Sequence, residues 1–184
     1  MDNGFAESEG MRNLKYLLGI DLGTSGTKTV LFEETGRAVA SETIEYPLYQ
    51  PKNGWAEQEP EDWWNAARDT VKAVIAKSGV KPEDVKGVGI SGQMHGLVLL
   101  DREGRVLRRS ILWCECDEIT HTIGKERLIE LSANPALTGF TAGKILWVRK
   151  HEPEVYEKAA HILLPKDYVR YRLTGEYAAE MSDA

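Results

Sequence analysis

Two short turns near the N-terminus constrain this chain more than any other feature. The apolar run from Tyr16 to Ile20 ends in Asp-Leu-Gly, and Gly23-Thr-Ser-Gly26 then leads into a second run, Thr27 to Phe32. Glu33-Glu-Thr-Gly36 leads in turn to a third, Ala38 to Tyr46. Short apolar runs bounded by glycine-bearing turns read as strands. Parallel neighbours need a crossover of a dozen residues or more, and neither turn has room for one. The spacing therefore predicts a three-stranded antiparallel meander.

Beyond the meander the pattern alternates. Residues 47 to 60 read as loop. Pro60-Glu-Asp opens a helix with proline and acids in its first turn, where the positive end of the helix dipole favours them. Trp64, Ala67, Val71, Val74 and Ile75 recur at helical spacing through it, and Gly79 ends it. Val85–Ile90 and Leu97–Leu100 read as strands, and Asp101-Arg-Glu-Gly104 turns the chain toward a strand over Val106–Trp113. One helix is predicted from Asp117 to about Leu131, with Ile119, Ile123 and Leu128 inward. Two more follow over Gly143–Lys150 and Glu154–Ala160, separated by Pro153. His161–Leu164 reads as a short strand and Lys166–Leu173 as a helix ended by Gly175. This order of strands and helices defines a mixed α/β domain.

At 184 residues and 42% hydrophobic content the chain fits one domain with a real core. A net charge of −6 and a pI near 5.3 argue against a non-specific nucleic-acid binder or a binder of anionic membranes. No apolar run is long enough to span a bilayer. The opening MDNGFAESEG lacks the basic start and apolar stretch of a signal peptide, so residues 1–13 read as a disordered leader or cloning remnant. Two cysteines, Cys114 and Cys116, imply no disulfide framework, and a reducing cytoplasm is the default compartment. With His121 they make a poor zinc cage, because a closed site wants four ligands.

Two segments carry chemistry. In Ile20-Asp-Leu-Gly-Thr-Ser-Gly-Thr-Lys28, successive backbone N–H groups of a glycine-permitted turn can form a concave nest for phosphate oxygens. Gly23, Thr24, Ser25, Gly26 and Thr27 are the candidate phosphate-binding residues, with Lys28 adding charge. Asp21, at a strand end, is placed to organise Mg²⁺ through water, since a hard cation takes oxygen ligands. A P-loop is excluded, because it needs adjacent Gly-Lys and a following helix. The same residues read equally well as a glycine-rich hairpin with Asp21 capping a turn. In the second segment, Gln93-Met-His95 follows a strand at the sheet edge where ligands of α/β proteins collect. Gln93 and His95 offer fixed donors and acceptors for a small polar ligand, and Met94 an apolar surface. A Met-His pair after a strand also reads as core or turn. Trp63, Trp64 and Trp147 read as packing residues. Trp55 and Trp113 lie closer to loops and are candidates to line a ligand pocket, although burial under the loop is the stronger reading for Trp113.

Taken together these motifs resemble the FGGY carbohydrate kinase family, and within it the xylulokinase branch. The Asp-x-Gly-Thr-Ser turn is similar to the adenosine-triphosphatase turn shared by actin, Hsp70 and sugar kinases. Gly92-Gln-Met-His-Gly96 resembles the branch's substrate loop, and Gly54-Trp-Ala-Glu-Gln58 is similar to its counterpart there. Gly139-Phe-Thr-Ala-Gly-Lys144-Ile-Leu-Trp147-Val-Arg-Lys-His151 fits the first family signature. Leu164-Pro-Lys-Asp-Tyr168, Leu173-Thr-Gly175 and Ser182-Asp-Ala184 continue the family's order. The likeness implies a ribonuclease-H-like, actin-like ATPase fold over residues 14–184. It implies ATP and Mg²⁺ as cofactors and a ketopentose as substrate, with D-xylulose becoming its 5-phosphate. Met94 and His95 would contact the ketose, and Trp113 would join them. A homodimer is one assembly the resemblance allows.

The likeness also implies that the general base and a second, nucleotide-closing domain lie beyond this stretch, so that the stretch alone would be inactive. Alternatives are a family kinase for ribulose, gluconate or glycerol, or a non-catalytic sugar-binding module. Met94-His95 disfavours glycerol, where the family places a charged pair. One departure stands out. After Ile111-Leu-Trp113 relatives carry an Asp-x-Arg segment, whereas this chain reads Cys114-Glu-Cys-Asp117 and enters the next helix at once, without the arginine.

Overall fold

A computed structural model describes residues 15–114, 118–133, 135 and 139–179. The leader segment 1–13, the Cys116-Asp117 departure and Ser182-Asp-Ala184 lie outside the described residues. Strands β1 (Tyr16–Leu22), β2 (Gly26–Glu33) and β3 (Ala38–Glu45) pair antiparallel in sequence order. A three-residue strand β4 (Ala56–Gln58) comes next, and β5 (Val85–Gly92) joins the free side of β1 in parallel. The result is a mixed sheet of order β3-β2-β1-β5. The parallel pair is reached through helix α1 (Pro60–Ser78), the crossover that such a pair requires.

Alternation along β1 decides which face is core. Leu18, Ile20 and Leu22 are buried, whereas Leu17 and Asp21 are exposed. The buried face meets α1 through Trp63, Ala66, Ala67, Thr70 and Val74. This stripe is centred one residue earlier than the sequence reading placed it. Trp64 and Val71 flank the core and do not form its middle. A buried pair of hydroxyls, Thr29 and Thr70 at 2.7 Å, bridges sheet and helix, and Thr70 Oγ1 also donates to the Ala66 carbonyl. Gly79 ends α1 in the left-handed region, where its N–H reaches the Ile75 carbonyl.

Among the described residues, the second half of the chain completes two small sheets and adds five helices. Strand β6 (Val98–Leu100) pairs with β8 (His161–Leu163), and β7 (Ser110–Trp113) pairs with β4. Helices α2 (Glu118–Ile123) and α3 (Lys125–Ser132) precede α4 (Thr141–His151), α5 (Pro153–Lys158) and α6 (Pro165–Thr174). Three sequence expectations change. The single helix over Asp117–Leu131 is two, because Gly124 takes φ 86° and breaks it, and Ile123 is exposed. The strand over Val106–Trp113 begins only at Ser110, with an isolated bridge from Val106 to Leu100. The loop over residues 47–60 contains β4, held down by Arg108 between Glu57 and Glu152. Among the described residues no helix is long and apolar enough to cross a membrane.

Candidate active site

Asp21, Lys28 and Ser91 come together on the exposed face at one end of the sheet. Asp21 is in register with Lys28 on β2 and with Ser91 on β5. Neighbouring strands lie under about 5 Å apart, so the three side chains form a row across the sheet. They line one cleft of about 390 Å³, with glycines 19 and 89 keeping its floor low. Ser91 Oγ donates to Asp21 Oδ1 at 3.1 Å. That bond orients the carboxylate and leaves its second oxygen to take a cation-bound water. A single carboxylate suits Mg²⁺, which keeps several waters and takes the rest of its ligands from phosphate.

The turn between β1 and β2 is shaped from beneath. The Gly23 carbonyl accepts from Tyr46 Oη at 2.5 Å and from Gln93 Nε2 at 2.9 Å. The Thr24 carbonyl accepts from Gln58 Nε2 at 2.7 Å. No peptide among the described residues is cis, and in a trans planar unit the N–H points opposite to the preceding C=O. Carbonyls drawn inward at Gly23 and Thr24 therefore turn the N–H groups of Thr24 and Ser25 outward, as a phosphate nest requires. Both residues are exposed. Gly23 spends its own N–H on the Gly26 carbonyl, closing the turn. Gly26 lies against the Ile44 carbonyl, where an added Cβ would sit at 2.7 Å. Thr27 is fully buried and its hydroxyl faces Tyr46 at 3.4 Å, so its side chain supports the turn from inside and does not face the cleft. Burial pushes the Tyr46 phenol up to about 12, keeping it a neutral donor.

Gln93 bonds the loop after β5 directly to this turn. Its backbone N–H reaches the Leu22 carbonyl at 2.9 Å, and its side-chain nitrogen meets both Gly23 O and Gln58 Oε1. Those bonds commit the amide nitrogen to the turn and to Gln58. Met94 is exposed, and His95 is half-buried with its ring edge-on to Phe140, centroids 4.8 Å apart. The His95 carbonyl is gripped by Thr141 Oγ1 at 3.1 Å and by Lys144 Nζ, which also donates to Gly139 O at 2.7 Å.

Trp113 departs from expectation. It is 55% exposed, not buried under its loop, and shares a second cleft of about 390 Å³ with Trp55, Gln50, Lys52 and Asn53. Trp63 is fully buried, while Trp64 and Trp147 pack half-buried against the core clusters. Cys114 is buried and disulfide-bonded, a bond that the composition did not announce, and its partner lies outside the described residues. Gln58, Tyr46, Ser91 and Lys144 were not singled out as site residues from sequence. The one signal was the position of Gln58 and Lys144 inside motifs shared with a family.

Lys144 yields a test of its own. Burial pushes its ammonium down to about 8 from an ordinary 10.5. The folded chain then binds fewer protons than the unfolded one across that interval, so stability rises with pH there. The cost of burying the charge is present in full below about pH 8 and is relieved as pH approaches 10.5. Its full size is on the order of 3 kcal/mol. Urea unfolding of wild type and Lys144→Met, compared at each pH, is expected to show wild type gaining roughly 2 kcal/mol relative to the variant between pH 7.5 and 9.5. A difference independent of pH would contradict a buried charged amine at this position.

Comparison with known proteins agrees with the geometry. The family model described as "FGGY family of carbohydrate kinases, N-terminal domain" matches residues 16–184. The xylulose kinase of Bacillus subtilis (strain 168) is 46% identical over 177 residues, 93% of this chain and 35% of that protein. The xylulose kinase of Escherichia coli (strain K12) is 46% identical over 173 residues, 91% of this chain and 35% of that protein. Among solved structures, a "xyloylose kinase" from Brucella ovis superposes with a TM-score of 0.85 at 40% identity, over 91% of this chain and 36% of that one. The chain belongs to the FGGY family of carbohydrate kinases and corresponds to its N-terminal domain. It spans about a third of the length of the relatives it matches.

Proposed function

We propose that this domain serves the ATP-dependent phosphorylation of a ketopentose, D-xylulose, at its 5-hydroxyl, within a ribonuclease-H-like, actin-like ATPase architecture. The observation that carries the reading is the bond from Gln93 Nε2 to the Gly23 carbonyl, which joins the loop read as sugar-binding to the turn read as phosphate-binding. Phosphoryl transfer depends on placing donor and acceptor in line and on stabilising charge, so the two elements must share one rigid frame. Mg²⁺, when bound, would neutralise phosphate charge and hold the transferring group in place. Asp21, oriented by Ser91, would take that cation through water. The N–H groups of Thr24 and Ser25 would hold phosphate oxygens, and Lys28 would add a positive charge in the cleft it shares with Asp21. Met94, His95 and the oxygen of Gln93 would hold the sugar, and the exposed face of Trp113 is the candidate for a further apolar wall. The relatives named xylulose kinase support this substrate over glycerol or gluconate.

The test is acceptor preference in the full chain, by coupled ADP release with D-xylulose, D-ribulose, gluconate and glycerol. D-Xylulose is expected to give the highest kcat/KM. His95→Ala is expected to lower that value at least about tenfold, the equivalent of roughly one charge-independent hydrogen bond to the substrate. Its loss of stability should stay near 1 kcal/mol, the worth of the ring contact with Phe140. Faster turnover of gluconate or glycerol, or an unchanged kcat/KM in His95→Ala, would reject the assignment.

A further inference from the structure

Gln58 is the most fully engaged polar side chain near the site, and no exposed part of it remains for a ligand. It is 0% exposed. Its Nε2 donates to Thr24 O at 2.7 Å and to Pro47 O at 3.3 Å. Its Oε1 accepts from Trp63 Nε1 and from Gln93 Nε2, each at 3.0 Å. Four partners on the turn, the loop before β4, the first turn of α1 and the sugar loop therefore meet on one amide. That uses an amide's two donors and both acceptor lone pairs, so its orientation is fully determined. We infer that Gln58 is the positioning residue of the site: by holding the Thr24 carbonyl inward it aims the Ser25 N–H at phosphate, and through Gln93 it locks the sugar loop to the same frame. The inference rests on reading the turn as the phosphate site. A glutamine filling a core for packing alone would need no bond to the turn's carbonyl. Tyr46 does the corresponding work one residue earlier, at Gly23 O.

The substitution Gln58→Glu keeps the shape and both acceptor bonds while removing the donor to Thr24 O. In the full chain it is expected to lower kcat at least thirtyfold and raise the KM for ATP more than tenfold, with the KM for D-xylulose changed less. Val74→Ala, a core truncation in α1 away from the site, supplies a variant of comparable stability loss, and its kcat and KM values are expected to stay within threefold of wild type. If Gln58→Glu does not fold, Tyr46→Phe removes one donor from Gly23 O and is expected to raise the KM for ATP by about threefold or more. A second readout needs no turnover. Titration of inorganic phosphate with Mg²⁺ is expected to move the Thr24 and Ser25 amide resonances in wild type, and to move them at least tenfold less at equal concentration in Gln58→Glu.

Each outcome decides something. Kinetic constants of Gln58→Glu matching those of Val74→Ala, or of Tyr46→Phe matching wild type, would overturn the inference and leave the proposed reaction intact. A wild type without turnover whose amides still respond to phosphate through Gln58 would overturn the reaction and support the inference. Amides that do not respond in wild type overturn both.

Discussion

Asp21→Ala in the full chain is expected to lower kcat for sugar phosphorylation by about a thousandfold, roughly 4 kcal/mol of transition-state stabilisation, while leaving the fold intact. The two effects separate because of where the carboxylate sits. Asp21 is an exposed residue on a strand whose inward neighbours Ile20 and Leu22 are buried, so it lends the core nothing. Its carboxylate accepts from the Ser91 hydroxyl, also exposed. An exposed side chain of this kind contributes within about 0.5 kcal/mol to stability. Its place in the cleft with Lys28 is another matter, since under the proposed reaction the transferring phosphate would carry charge that has to be met there. Asp21→Asn refines the result. It keeps an acceptor for Ser91 but removes the charge, so a loss nearly as large as that of Asp21→Ala identifies charge as the cause. Steady-state kinetics across Mg²⁺ concentrations and a thermal melt decide it. A kcat within tenfold of wild type would remove Asp21 from the chemistry.

Gly92→Ala is expected to destabilise the chain by about 3 kcal/mol or more, equivalent to a fall in Tm of some 6–12 °C for a domain of this size. Gly92 ends β5 with φ +150°, and a Cβ there would meet Leu22 Cβ at 2.4 Å, its carbonyl oxygen at 2.6 Å and its Cα at 2.8 Å. Two of those atoms are backbone of β1, and Leu22 itself is fully buried, so neither side can yield cheaply. Relief would come only by parting β1 from β5 where the Leu22 carbonyl receives the Gln93 N–H. Site geometry should fail along with stability. Gly89→Ala makes the internal control, because a Cβ at that position meets only the Leu18 carbonyl, at 4.0 Å, and should cost little. Urea denaturation of the two variants tests the contrast, and equal midpoints would show that the strand pair adjusts freely.

The difference between what was readable and what was not lies in the range of the interactions. Pro60 and its acids start α1, and Gly79 stops it, through bonds closed within a few residues. Gly124 carries the same kind of local signal, but Ile119, Ile123 and Leu128 keep a helical spacing that continues across it and masks the break. Ile123 turned out exposed, so the periodicity there did not report a buried face. The stripe of α1 slipped by one residue for a related reason. Trp63 and Trp64 are equally apolar, and only the sheet beneath decides which one is covered. Trp113, expected to be buried, stands exposed beside Trp55, because burial of an aromatic at a strand end depends on which loops return to it.

The sequence by itself determined the meander, the helical crossover after it and the place of Asp21 and Lys28 at neighbouring strand ends, because turn length and strand alternation act between residues close in the chain. It also marked Gln93, Met94 and His95 as a loop following a strand. Only the tertiary structure decided what holds these pieces in working order. Gln58 reaches Thr24 across 34 residues, Gln93 reaches Gly23 across 70, and Lys144 reaches the His95 carbonyl across 49. A buried amide or ammonium takes its role from the partners that satisfy it, since leaving such a group unpaired costs more than most single contacts return. Those partners are chosen when the sheet, α1 and α4 pack together, and no local pattern of residue types specifies them in advance.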